Sequence, residues 1–116
     1  MNSKYPIKYP NGFKFYTVSN FGGITQYEVL DYAPNQAIIS GYKISVLCPN
    51  RKTPYETTWR EPWIDAFVNR VLTKTTNYEF LDYSQALQDS LTRLQRRADK
   101  INTLIQKTSY ELTQNP

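Results

Sequence analysis

The chain has 116 residues, enough for one domain built on a single hydrophobic core and too few for two. With 40% hydrophobic and 15% aromatic residues it lies outside the compositions of disordered chains, and a formal charge of +4 favours an anionic partner. It contains no histidine and one cysteine, Cys48, which removes the usual general base at neutral pH, the commonest zinc ligand and any internal disulfide.

The first twelve residues hold Lys4-Tyr5-Pro6 and then Lys8-Tyr9-Pro10. Each proline forces the tyrosine before it toward an extended conformation, so residues 1–12 are predicted to form an extended arm. No apolar signal region follows Lys4, and no stretch approaches the ~20 consecutive apolar residues of a membrane span. The expected location is therefore cytoplasmic, with no membrane partner.

Residues 13–47 carry strand chemistry. The run from Phe13 to Ser19 is aromatic and β-branched, and ends at Asn20-Phe21-Gly22-Gly23, which can supply the positive φ of a tight turn. Ile24 to Tyr32 and Ala37 to Leu47 repeat the pattern, separated by Ala33-Pro34-Asn35-Gln36; Gly41 suggests a bulge or a close backbone approach. These runs predict a three-stranded antiparallel meander, which can leave one face wet while helices cover the other. The polar residues 48–61 are predicted to be a loop.

A short helix is expected over 62–73, with Pro62 in its first turn and Trp63, Ile64, Phe67, Val68, Val71 and Leu72 as its apolar stripe. A long helix is expected over 83–113, opened by Asp82 and Gln85 in the spacing of a capping box. Along it Leu87, Leu91, Leu94, Ala98, Ile101, Ile105, Thr108 and Leu112 step by fours and threes in an unbroken a/d heptad series. At 1.5 Å per residue such a helix runs ~45 Å, longer than the sheet beside it, so the seam is expected to join copies of the chain into a homo-oligomer. The fold class is thus α+β. Thr25–Tyr32 and Thr76–Tyr83 share six of eight residues, but the similarity ends abruptly at both flanks, which reads as compositional coincidence rather than a repeat.

The residue types speak against catalysis. Cys48 ends an apolar run before a proline with no histidine to activate it, which fits a buried structural thiol. Glu28, Asp31, Glu56, Glu61 and Asp65 show no spacing that converges on a metal, and Gly22-Gly23 lacks the strand-to-helix context of a phosphate loop. No catalytic residue, cofactor or metal is expected.

Binding is better supported. Lys4, Tyr5, Lys8, Tyr9, Lys14 and Tyr16 interleave cations with rings, a pairing that neutralises phosphates and stacks on bases, although such an arm can also fold over its own sheet. Arg51 and Lys52 add a basic loop, and Arg93, Arg96, Arg97, Lys100 and Lys107 form a ridge beside the seam, with Asp89 placed to pair with Arg93. The sequence thus leads to a non-enzymatic oligomeric protein that holds or masks a nucleic acid or nucleotide. The alternative is a small viral or mobile-element accessory or inhibitor protein whose aromatic surface docks on a host protein.

Overall fold

A computed structural model describes residues 8–33, 35–44 and 55–115. The expectations for Lys4, Tyr5, Cys48, Arg51 and Lys52 lie outside the described residues. In chain order the elements are β1 (Lys14–Val18), β2 (Ile24–Ala33), β3 (Gln36–Ile44), β4 (Tyr55–Arg60), α1 (Glu61–Leu72), β5 (Glu79–Phe80) and α2 (Tyr83–Gln114). The fold is α+β, an antiparallel sheet ordered β4-β3-β2-β1-β5 with one short and one long helix.

The meander has four strands, not three. Residues 55–60 of the expected loop form β4, which runs antiparallel to β3 from the Gln36–Arg60 pair to the Gly41–Tyr55 pair. Thr57, Thr58 and Trp59 supply the β-forming side chains, and pairing with β3 overrides the polar character of their neighbours. Gly41 is the close approach rather than the bulge: a Cβ there would lie 2.9 Å from the Tyr55 ring. The bulge falls instead in β2, where the register shifts between Val29 and Asp31.

Strand alternation builds two cores on opposite faces. On one face Phe15, Val29, Ala37 and Ile39 pack with Ile64 and Phe67 of α1, and Tyr9 closes the end. Phe15 sits at the centre of this aromatic cluster, with ring centroids 4.8 Å from Phe67, 5.1 Å from Tyr27 and 5.3 Å from Trp59. On the other face Tyr16, Val18 and Ile24 pack with Ala86 of α2. Helices therefore lie against both faces, and neither is left as the wet face that a meander alone would allow.

Both helices begin where expected. Pro62 occupies the first turn of α1, and Asp82 caps α2 by accepting a hydrogen bond from the Ser84 amide at 3.3 Å, not through a reciprocal box with Gln85. Between them, Arg70 donates Nε and Nη2 to the two carboxylate oxygens of buried Glu79 at 2.7 and 2.8 Å, tying α1 to β5. Thr25–Tyr32 lies wholly in β2, whereas Thr76–Tyr83 runs through a turn, β5 and the start of α2, so the sequence echo is not a structural repeat.

The long helix runs past the body, giving the molecule a longest dimension of 78 Å. Its buried residues are Ala86 and Ser90, and everything from Leu94 to Asn115 is exposed. No helix among the described residues is long and apolar enough to cross a membrane.

Candidate nucleic-acid interface

The β1–β2 turn positions the site. Ser19 accepts amide hydrogen bonds from Gly22 and Gly23, and its own amide donates to the Gly23 carbonyl, which folds Asn20 and Phe21 out at the tip. Gly22 adopts φ +83° and lies against α2, where Ser90 Oγ donates to its carbonyl oxygen at 2.5 Å. A Cβ at this position would stand 2.8 Å from Leu94 Cγ, so both conformation and space call for glycine.

Arg93 locks tip and helix together. Its guanidinium donates to Asp89 Oδ2 at 2.7 Å one turn back, to Asn20 Oδ1 at 3.1 Å and to the Asn77 carbonyl at 2.8 Å. One turn further along, Arg97 Cζ lies 5.1 Å from the centroid of the Phe21 ring, which is 68% exposed. Asn20, Phe21, Arg93, Arg96, Arg97 and Lys100 line one open groove of about 490 Å³. Arg96 and Lys100 make no hydrogen bond or ion pair among the described residues, so their charges face water.

The other expected ligand-binding residues are used internally. Lys8 Nζ lies 2.9 Å from Asp65 and 3.6 Å from Glu61, which draws the arm onto α1. Tyr9 is buried between Phe13 and Tyr32, and its hydroxyl donates to Asp65. Burial and that carboxylate push the Tyr9 phenol above its ordinary range, while the Tyr9 and Lys8 hydrogen bonds hold Asp65 below the usual carboxylate value. Lys14 faces Glu28 across the β1–β2 ladder at 3.9 Å. Tyr16 is buried against Tyr83, with ring centroids 5.4 Å apart. Lys8, Tyr9, Lys14 and Tyr16 are thus engaged with the fold itself: residues 8–12 lie against the body because the Tyr9 ring finds more apolar contact between Phe13 and Tyr32 than in water.

Arg96, Arg97 and Lys100 of the expected ridge are therefore brought together with Asn20 and Phe21, whose spacing in the chain marks only a turn, while Arg93 serves as the clamp. The heptad residues remain uncovered: Leu91 is 55% exposed, Ile105 56% and Leu112 70%, because α2 meets its own sheet through the adjoining stripe of Ala86 and Ser90. Among the described residues no cluster of three or more acids or cysteines could hold a metal ion. Comparison with family models, curated proteins and solved structures gives no match, so the reading of function rests on this groove and this helix.

Proposed function

We propose that the chain is a non-enzymatic, self-associating protein that holds single-stranded nucleic acid in the groove between the β1–β2 tip and α2. The observation that carries this reading is the exposed Phe21 ring beside two uncommitted cations, Arg96 and Lys100. A single strand offers the complementary pair of surfaces: base faces that stack on Phe21, and phosphates that displace counterions from Arg96 and Lys100. Arg97, lying over the ring, helps to hold the platform in place. The groove lies open to water, which suits a partner that continues past it on both sides.

The test is fluorescence anisotropy of a labelled oligothymidylate and its RNA counterpart, titrated with protein across a series of salt concentrations. Two phosphate contacts on a single strand contribute about 1.4 to the slope of log affinity against log salt, so R96E/K100E should flatten the slope by about that amount per groove. Phe21→Ala should weaken binding about tenfold or more through lost stacking, with little change in slope. No binding at about 50 mM salt, or a slope unchanged in R96E/K100E, overturns the proposal.

A further inference from the structure

We infer that a second copy of this chain covers the seam of α2 in the antiparallel sense, with residues 94–112 of the two helices paired about a two-fold axis near Thr103. This rests on the reading that the seam self-associates, and adds its direction and register. The starting observation is that α2 is exposed at every residue from Leu94 to Asn115, although Arg97 reaches the Phe21 ring, and along this stretch it carries Leu94, Ile101, Leu104, Ile105 and Leu112, each between 45% and 70% exposed. A soluble helix with no cover presents a polar face; this one presents a continuous aliphatic stripe.

Direction follows from charge and side-chain size. In heptad terms Leu91, Ala98, Ile105 and Leu112 are a positions, Leu94, Ile101 and Thr108 are d, and Arg97, Leu104 and Glu111 are g. Antiparallel helices oppose a with d and flank g with g. With the axis at Thr103, Leu94 meets the partner's Leu112, Ala98 meets the partner's Thr108, and Ile101 meets the partner's Ile105. Arg97 then lies beside the partner's Glu111, and Leu104 meets the partner's Leu104 at the axis. Every large aliphatic side chain of the overhang finds an apolar counterpart, and the one acidic g residue finds the one basic g residue.

The alternatives fail on the same criteria. In a parallel pair Arg97 flanks the partner's Asn102, Leu104 flanks the partner's Ser109, and residues 93–100, with four cations and one acid, stand level with their own like charges. The antiparallel register shifted by one heptad sets Arg97 beside the partner's Leu104 and asks Ser90, sunk under Gly22, to face outward. The register at Thr103 also brings the partner's helix C-terminus to the cleft of about 480 Å³ lined by Gly22, Ile24, Ile44, Leu94 and Lys43, where an ammonium group suits the negative end of a helix dipole.

The deciding experiment uses the full chain with Cys48→Ser and Thr113→Cys, spin-labelled at 113, measured by light scattering and by electron-electron double resonance. The expected result is a dimer whose labels lie 20 residues apart along the helix axis, or ~30 Å at 1.5 Å per residue before the lateral offset is added. A dimer with its labels at one level overturns the antiparallel register and leaves self-association standing. A monomeric mass, with helix content intact by circular dichroism, overturns both. As an independent arm, Arg97→Glu should raise the dimer dissociation constant about tenfold and R97E/E111R should restore it; no rescue overturns the register.

Discussion

Replacing Gly22 by alanine tests whether the β1–β2 tip and α2 hold each other as described. At φ +83° an L-residue costs about 1–2 kcal/mol from its own Cβ. The new methyl would also stand 2.8 Å from Leu94 Cγ and 3.3 Å from the Ser90 carbonyl oxygen, one of which must move; overpacking of this kind costs about 1–3 kcal/mol. The sum is roughly 2–5 kcal/mol, a large share of the ~5–15 kcal/mol that stabilises an ordinary domain. Gly12 is the matched control: it has φ +91° and no atom within 4 Å of where a Cβ would stand, so Gly12→Ala should show the conformational cost alone. Urea unfolding of G12A, G22A, L94A and G22A/L94A gives the answer, since removing the Leu94 side chain should recover about 1 kcal/mol of the G22A loss. If G22A costs no more than G12A, the packing of the tip on the helix is not as argued.

Two further predictions concern the Arg70–Glu79 pair and the buried tyrosines. Arg70→Ala strands the buried Glu79 carboxylate without its bidentate partner and should cost about 2–3 kcal/mol in urea unfolding, less than for a fully buried pair because Arg70 half faces water; Arg70→Lys should recover only part of this, and equal stability of all three proteins would refute the latch. Tyr9, Tyr16 and Tyr27 have phenols raised mainly by burial, so the folded state favours their protonated forms: their stabilisation is full below the ordinary phenol value of ~10 and is lost as pH rises through the raised folded values. Phenolate absorbance followed alongside circular dichroism should therefore show that part of the absorbance rise comes only with loss of structure, and ionisation of all ten tyrosines in an intact fold would refute it.

Where a segment's own chemistry is strong, the fold was legible. The aromatic and β-branched runs became β1, β2 and β3, Pro62 opened α1, and the heptad series lies along one uninterrupted helix. β4 was hidden because Glu56 and Arg60 made Tyr55–Arg60 look like part of a polar loop; an edge strand can alternate polar side chains freely, and its signal lies in β3 rather than in itself. β5 has two residues, too few to show any period, and exists because Arg70 and the turn at Asn77 bring Glu79 alongside Thr17. The site divides the same way. Spacing on one helix put Arg96, Arg97 and Lys100 together, but Phe21 reaches them from a hairpin more than seventy residues away. Its one signal was a large ring in a turn whose neighbours are small or polar. Lys8 and Tyr9 read equally as a latch and as a binding surface, because interleaved Lys and Tyr describe both, and only the position of Asp65 shows them used as a latch.

The contacts at Arg93 also have a mechanical side. From Ser90 to Gln114 the helix extends ~36 Å at 1.5 Å per residue, so rocking by about 10° at its anchored end displaces the far end by ~6 Å. Three hydrogen bonds from one guanidinium, to Asp89, Asn20 and Asn77, brace that anchor against such rocking. Atoms that never approach Arg93 thus owe their position to it, and the precision with which the overhang can meet anything is set at its root.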